Sequence, residues 1–148
     1  MKVVSVCMSE KKGTKKHTVD KIEVKKNHGI VGDAHAGDWH RQVSFLAEES
    51  VDRMRGAMPE LTSGDFAENI MTEGIELFTL PIGARLKVGE VVFEVTQIGK
   101  ECHHGCEIRS IVGDCVMPRE GIFAIVIEEG TVYPGDDISI LSTDGALK

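Results

Sequence analysis

The sequence predicts a mainly β fold, closed or nearly closed into a barrel, with a few short helices. Apolar and polar residues alternate with a period of two in several short segments, as they do in strands that bury one face. Few segments have apolar residues at helical spacing. Turns that contain glycine or proline separate the apolar segments, which is typical of barrels built from short strands.

The first predicted strand covers residues 3–8, which are largely apolar, as in a largely buried strand. The basic run at residues 11–17 follows and is predicted to be a solvated turn. A flap that gathers anions is the alternative for this run. Residues 21–25 alternate between polar and apolar side chains and predict a half-exposed strand. A glycine-rich loop is predicted over residues 29–37.

Residues 42–46 predict another short strand, and the segment after it predicts a helix. Apolar residues recur there at helical spacing, which indicates one amphipathic helix over residues 47–56. They are Ala47, Val51, Met54 and Met58. Pro59 ends the helix because proline removes a backbone donor and clashes with the preceding turn. We assign this apolar stripe to core packing.

From Leu77 onward the pattern is that of strands. Residues 84–88 and 91–96 are joined at Gly89 and Glu90, which predicts a tight hairpin. Three further elements are predicted near the C-terminus: a short helix at 104–112 and strands at 122–128 and 137–141, the two strands separated by a turn region around Gly130, Pro134 and Gly135.

Length, composition and charge limit the class of protein. A chain of 148 residues fits a single domain over 1–148. A net charge of -7 argues against a general nucleic-acid binder. No apolar run approaches the roughly 18 residues of a membrane helix, and the apolar N-terminus is too short for a secretory signal. We therefore predict a cytoplasmic protein that binds neither nucleic acid nor membrane.

Cysteine and histidine are concentrated in one short run, Cys102-His103-His104-Gly105-Cys106, with Cys115 downstream. Thiolate and imidazole groups bind soft metals, and thiolates also carry sulfur. The Cys-x-x-x-Cys spacing differs from the Cys-x-x-Cys of ordinary zinc sites. A structural zinc held by the three cysteines and one of the two histidines is an alternative.

The fourth cysteine, Cys7, lies in the first apolar strand and is predicted to be a buried small hydrophobe. Cations accompany the other thiols in an otherwise acidic chain: Lys100, Arg109 and Arg119. Nearby cations stabilise the thiolate form of a cysteine, and arginine binds phosphate or other oxyanions through two parallel hydrogen bonds. Thiolates and cations together suit an anionic metal–oxo or phosphorylated ligand, or the transfer of sulfur.

Two glycine-flanked polar segments upstream are candidates for other walls of a site. In residues 29–37, Asp33 and His35 share one face if the segment is extended. With His40 and Arg41 they offer acceptors, a titratable imidazole and a fixed cation. The alternative is a loop in which Asp33 caps a turn.

Residues 64–70 form the second segment, in which Asp65, Glu68 and Asn69 surround Phe66. The Asn69 amide can donate and accept hydrogen bonds along the edge of a planar heterocycle. The alternative is a turn in which Phe66 fills part of the core. We predict that Asp33, His35, Asn69 and Cys102 line one cleft at an end of the barrel.

Four motifs, in this order, resemble the MOSC domain family, named after the C-terminal domain of molybdenum cofactor sulfurase. The resemblance covers about residues 3–141, the predicted core, and the short length is similar to that of stand-alone bacterial members. It implies a MOSC-type, pyruvate-kinase-like β-barrel. The motifs are Gly29-Ile-Val-Gly-Asp33-Ala-His35-Ala-Gly37, Gly64-Asp-Phe-Ala-Glu68-Asn69-Ile70, Gln97-Ile-Gly-Lys-Glu-Cys102, and Arg119-Glu-Gly121-Ile-Phe-Ala with Gly130-Thr-Val and Gly135-Asp136.

The resemblance implies binding of molybdenum cofactor, or of a molybdate- or tungstate-derived species, and a cysteine that bears sulfur or binds the metal. The spacing from Gln97 assigns that cysteine to Cys102, whereas an alignment anchored on the downstream residues assigns it to Cys106. The remaining residues divide into two groups. Lys100, Arg109 and Arg119 would neutralise phosphate or oxo groups, and Asp33, His35, Arg41 and Asn69 would orient the pterin or act on protons.

The partners implied are cofactor-biosynthesis proteins or molybdoenzymes. No pyridoxal phosphate is expected to bind this chain, because the corresponding sulfurase domain is absent from it. Catalysis and simple carriage of the cofactor both fit these residues. Two other functions are alternatives: a zinc-stabilised binding module without catalysis, and a reductase of N-hydroxylated compounds that takes electrons from a partner protein.

Overall fold

The fold was determined as a computed structural model, which describes residues 1–9, 16–33, 36–37, 39, 41–54, 68–75, 77–98 and 121–142. These residues form eleven strands, one α-helix (α1, Glu48–Met54) and a short 3-10 helix (Leu77–Thr79). The strands are β1 Lys2–Met8, β2 His17–Val19, β3 Ile22–Lys25, β4 Gly29–Ile30, β5 Val43–Ala47, β6 Ile70–Glu73, β7 Arg85–Val88, β8 Val91–Ile98, β9 Ile122–Glu128, β10 Gly130–Val132 and β11 Ile138–Ser142.

Eight strands form the main sheet, in the order β11-β7-β8-β9-β5-β6-β1-β2, and β10-β3-β4 form a second, smaller sheet. Every pairing is antiparallel except that of β5 with β6. A parallel pair needs a crossover connection, and α1 begins that crossover directly after β5. The prediction of a mainly β fold is confirmed.

The start of β11, at one end of the main sheet, contacts the start of β1, which is the second strand from the other end. Lys2 and Asp137 form an isolated antiparallel bridge. The Val3 amide donates to the Asp136 carbonyl at 2.9 Å, and the Ile138 amide donates to the Met1 carbonyl at 3.0 Å. The main ladder itself is open, since β2 and β11 are its first and last strands. Closure into a barrel therefore stays a prediction.

One row of paired residues crosses the middle of the sheet and defines its buried face. It runs through Val6, Ile70, Phe45, Ile122 and Ile98, on β1, β6, β5, β9 and β8. The first four side chains are fully buried in the hydrophobic core. Burial of such side chains contributes about 1.5–3 kcal/mol each. The row lies where β6 and β9 begin, at Ile70 and Ile122, and where β8 ends, at Ile98.

Several predicted elements are confirmed with shifted ends. The hairpin of β7 and β8 turns at Gly89 and Glu90, as predicted. The helix covers Glu48–Met54 within the predicted range 47–56. Four strands were not predicted: β2, β4, β6 and β10. Strands β2, β4 and β10 have two or three residues, too few for an alternating pattern, and the first three residues of β6 are all buried, so β6 does not alternate. The helix predicted at 104–112 lies outside the described residues.

Comparing Gly29 with Gly135 distinguishes the free-energy cost of a steric clash from that of backbone strain. Gly29 and Gly135 have φ angles of +110° and +91°, and a Cβ at Gly29 would lie 2.7 Å from the Gln42 carbonyl oxygen, whereas one at Gly135 would meet nothing within 4 Å. We expect Gly135→Ala to lower the free energy of unfolding by about 1–2 kcal/mol. Gly29→Ala should cost about 1–3 kcal/mol more. Urea unfolding of both variants measures the difference, and equal costs would contradict the close approach.

Candidate functional site

Asn69 connects three strands at the point where β6 begins. Its Oδ1 accepts hydrogen bonds from the Ser44 amide at 3.0 Å and from Ser44 Oγ at 3.1 Å. Its Nδ2 donates to the Cys7 carbonyl at 3.1 Å. The Asn69 backbone amide also donates to Ser44 Oγ at 3.0 Å, and the Cys7 amide donates to the Asn69 carbonyl at 2.7 Å. Asn69 thereby ties the ends of β1, β5 and β6 together.

These hydrogen bonds direct the Asn69 side chain into the interior of the protein. The residue is fully buried, and its amide oxygen and nitrogen both bind described neighbours. These contacts give Asn69 a structural role, and its predicted contact with a planar heterocycle stays a prediction. The burial predicted for Cys7 is confirmed, since its exposed fraction is 0%. Phe66 and Asp65 lie outside the described residues.

Asp33 forms a buried ion pair with Lys16. The Lys16 ammonium lies 2.8 Å from Asp33 Oδ1, and both side chains have an exposed fraction of 0%. The Ser9 amide donates to the same carboxylate oxygen at 3.1 Å. The prediction that the whole basic run is solvated is therefore wrong for Lys16. The local sequence does not predict this ion pair, because Lys16 and Asp33 lie 17 residues apart.

Asp33 also lies between two turns. Its amide donates to the Ile30 carbonyl, and its carbonyl accepts from the Ala36 amide, each at 3.1 Å. The segment is not extended at Asp33, so spacing alone does not place Asp33 and His35 on one face. His35 and His40 lie outside the described residues. The turn position of Asp33 matches the alternative prediction, a loop in which Asp33 caps a turn.

Arg41 lies among three side chains that together form what we call the arginine cluster. Arg41 Nε donates to Gln97 Oε1 at 3.1 Å. The guanidinium carbon lies 5.3 Å from the centre of the Phe123 ring and 6.0 Å from that of Trp39. Cation–π contacts within about 6 Å are attractive. The sequence pointed to Arg41, and to Gln97 only as a motif position. Sheet register supplies the partners Gln97 and Phe123, which pair directly across β8 and β9.

The described predicted residues are linked through the ends of neighbouring strands. Asp33 binds Ser9 and Asn69 binds Cys7, so both contact the C-terminal end of β1. Ser44, which Asn69 also binds, pairs with Phe123 of the arginine cluster across β5 and β9. A continuous series of contacts therefore leads from the tie at Asn69 to the arginine cluster.

The other predicted site residues lie outside the described residues: Lys100, Cys102, Cys106, Arg109 and Arg119. The segment that carries them, 99–120, follows Ile98 and precedes Gly121, and Ile98 pairs directly with Ile122 across β8 and β9. Within the part of the chain that the structure describes, no group of three or more His, Cys, Asp or Glu side chains could hold a metal ion. The described helices include none long and apolar enough to cross a membrane.

Comparison with known proteins gives a family and a fold. The family model described as "MOSC domain" matches residues 32–139. No curated protein matches the chain significantly.

Similar solved structures include the YuaD protein from Bacillus subtilis, at 20% identity over 93% of both chains with a TM-score of 0.77. YiiM from Geobacillus stearothermophilus is 17% identical over 95% of this chain and 75% of that one, with a TM-score of 0.72. YiiM from Escherichia coli is 19% identical over 96% and 70%, with a TM-score of 0.68. At these identities the likeness concerns the fold alone.

The Lys16–Asp33 pair gives a stability prediction. Lys16→Met should lower the free energy of unfolding by about 3–5 kcal/mol, because it removes the cation that balances the buried Asp33 carboxylate. Adding Asp33→Asn should recover most of that loss, because both charges of the pair are then absent. The amide oxygen of the new side chain can still accept a hydrogen bond from the Ser9 amide.

Arg85→Met is the matched control for Lys16→Met. The Arg85–Glu94 pair is 3.2 Å long with side chains 46% and 26% exposed, and an exposed pair contributes at most about 1 kcal/mol. Unfolding curves in guanidinium chloride give the free energy of unfolding of the unmodified chain, Lys16→Met, the double variant with Asp33→Asn, and Arg85→Met. A Lys16→Met protein as stable as Arg85→Met would show that the buried pair has no special role.

Asn69→Leu tests the tie between the three strands. The substitution removes the buried hydrogen bonds of the Asn69 side chain to the Cys7 carbonyl and the Ser44 amide, and losing a buried partner costs about 1–3 kcal/mol per group. Ser44→Ala is the milder control, because Asn69 Oδ1 keeps the Ser44 amide. We expect Asn69→Leu to lower the free energy of unfolding by at least about 2 kcal/mol and by more than Ser44→Ala does. Thermal and urea unfolding measure both, and the reverse order would contradict the assignment.

Proposed function

This chain belongs to the MOSC domain family, and from that membership we propose that it binds molybdenum cofactor, or a related molybdate- or tungstate-derived species, and carries or transfers sulfur through a cysteine. The observation that carries the proposal is the family match over residues 32–139. That range contains every residue that the sequence motifs assign to the site.

The sheet supports a site at the arginine cluster. Ile98 and Ile122 are paired, so both ends of segment 99–120 are attached at the same place on the sheet. Gln97, which binds Arg41, is one residue before Ile98. Four residues of chain span at most about 14 Å, so in this proposal Cys102 acts within that distance of Ile98. The thiol and the arginine cluster can then contact one ligand.

The described residues fit an anionic cofactor. Arg41 is half-buried, and its hydrogen-bond partner is the neutral Gln97 amide. A cation placed in this way favours a ligand of opposite charge, because partial burial strengthens the attraction. When bound, the cofactor would supply a metal centre and its redox chemistry. Arg41 would hold an anionic group of the ligand and exclude neutral competitors.

The cysteine provides the sulfur function of the proposal. Cys102 is assigned first and Cys106 second, as a thiolate ligand or as a persulfide loaded by a separate sulfur donor. Delivery of the outer persulfide sulfur as sulfide regenerates the cysteine thiolate and takes two electrons from a thiol reductant, which becomes a disulfide. The three cations of the segment, Lys100, Arg109 and Arg119, would stabilise the thiolate and the anionic ligand.

The remaining assignments follow the same proposal. His35 would act on protons, while Asp33 would hold its own turn and Asn69 would hold the ends of β1, β5 and β6. The partners would be cofactor-biosynthesis proteins or molybdoenzymes of the cytoplasm. A zinc-stabilised binding module and a partner-dependent reductase of N-hydroxylated compounds are the outcomes against which the proposal is tested.

Metal and cofactor analysis tests the proposed function. The chain purified from its own host should contain molybdenum or tungsten by elemental analysis, and mass spectrometry should detect the pterin released from it. The Cys102→Ser/Cys106→Ser double variant should lose the protein-derived sulfur ligand seen by X-ray absorption at the metal edge. Cys115→Ser is the matched control and should keep it.

Each result has a defined consequence. Stoichiometric zinc that is lost in Cys102→Ser, Cys106→Ser and Cys115→Ser alike would replace the proposal with the zinc module. A protein-derived sulfur ligand that persists in the double variant would overturn the assignment of the cysteines. Reduction of N-hydroxylated compounds on addition of an electron-donor protein, without any sulfur on the cysteines, would favour the reductase.

A further inference from the structure

The buried pair of Lys16 and Asp33 joins two segments that are distant in the sequence. Lys16 comes directly before β2, whose first residue, His17, pairs with Met8 at the end of β1. Asp33 follows β4 by three residues. The Lys16 ammonium and the Ser9 amide both donate to Asp33 Oδ1, at 2.8 Å and 3.1 Å. Asp33 is therefore held against the paired strands β1 and β2 at the point where β1 ends.

Asp33 lies in what we call the β4–β5 loop, residues 31–42. The described residues of this loop form neither strand nor helix, so its position depends on individual contacts and not on a ladder of backbone hydrogen bonds. The ion pair holds the first part of the loop. Further along, the Gly37 amide donates to the His28 carbonyl at 2.6 Å, and Arg41 belongs to the arginine cluster. The loop is thereby attached to the rest of the molecule at its start, its middle and its end.

A buried ion pair is better suited to fixing the position of a loop than to adding stability. Both side chains have an exposed fraction of 0%, so both charges lose their hydration on folding, and their attraction offsets much of that cost without a large surplus. Replacing such a pair by neutral side chains of similar volume is therefore often tolerated. A displacement of the loop, in contrast, would separate two buried charges, which is strongly unfavourable. The pair thus favours one arrangement of the loop over others.

We propose that Lys16 is a positioning residue: by holding Asp33, it fixes the β4–β5 loop in the arrangement in which the loop can bind a ligand. The ligand in this statement rests on the proposed function, whereas the hold on the loop rests on the ion pair itself. Lys16 is buried and contacts Asp33, so it acts on a ligand through the loop. A loop that is not fixed in advance must be ordered when the ligand binds, and this entropy cost weakens binding. The predicted site residues that the loop carries are Asp33, His35 and Arg41.

Hydrogen exchange followed by mass spectrometry tests the hold on the loop. The double variant Lys16→Met/Asp33→Asn removes both charges and keeps an acceptor for the Ser9 amide. Its melting temperature should stay close to that of the unmodified chain, because the two buried charges are removed together. The amides of residues 31–42 should nevertheless exchange at least about tenfold faster, while those of β8 and β9 should exchange as before. A merely structural role predicts a lower melting temperature and faster exchange in the loop and the strands alike.

Two further variants complete the exchange experiment. Lys16→Arg keeps a cation beside Asp33 and should keep exchange in the loop slow. Arg85→Met/Glu94→Gln removes an exposed ion pair, so it is the matched control and should change neither the melting temperature nor the exchange of the loop. Unchanged loop exchange in Lys16→Met/Asp33→Asn would overturn the proposal. Failure of that variant to fold would overturn it as well, because the pair would then act on the whole fold.

The metal content of the same proteins connects the loop to the ligand. Purified from its own host, Lys16→Met/Asp33→Asn should lose most of its molybdenum or tungsten by elemental analysis, since the loop is no longer fixed in advance. Lys16→Arg and Arg85→Met/Glu94→Gln should contain as much metal as the unmodified chain. Faster loop exchange with unchanged metal content would overturn the positioning role. Faster loop exchange together with an unmodified chain that contains neither metal would reject the proposed function and support the hold of Lys16 on the loop.

Discussion

The parallel pairing of β5 with β6 depends on the buried amide of Asn69. These two strands run in the same direction in a sheet that is otherwise antiparallel, and the chain reaches β6 only after the crossover that α1 begins. A long connection gives little control over where the second strand starts. The hydrogen bonds of Asn69 to Ser44 and Cys7 fix that start against both neighbouring strands. The register row through Phe45 and Ile70 follows from it, and so does the position of every element attached to that row.

The candidate site lies beside the same row of paired residues, at its Ile122 and Ile98 end, which is the end away from Asn69. Strand β5 pairs with β9, and β9 pairs with β8. The hydrogen bonds of Asn69, which hold β5 and β6 in register, therefore also help to position the ends of β8 and β9, between which segment 99–120 lies in the sequence. The arginine cluster lies at that place because Phe123 and Gln97 occupy paired positions. A rigid sheet that carries an irregular segment with reactive side chains is a common way to position function.

The sequence predicted what short-range patterns can encode. The hairpin of β7 and β8 was predictable because eight or more residues alternate around a glycine turn. Strand β4 was not, since two residues carry no period. The Lys16–Asp33 pair and the Arg41–Gln97 bond join residues 17 and 56 positions apart. Pairs of this kind depend on register and on crossovers, and neither is written in local composition. The motif order, by contrast, was enough to identify the family, because the family model spans most of the same residues.

The contacts of Met1–Val3 with residues 135–138 have a consequence for the order of folding. These backbone hydrogen bonds join β1 to β11 and to the turn before β11, which lie at opposite ends of the described sequence. During synthesis β1 leaves the ribosome before the C-terminal strands, and it pairs with this part of the chain only after those strands exist. Contacts so distant in sequence slow folding, because loop-closure entropy must be overcome before they form. Until then the first residues of β1, which precede the part that pairs with β2, lack these partners, and an unpaired strand edge is open to association with other chains. The contacts between residues 1–3 and 135–138 therefore form late, after the C-terminal strands have been made.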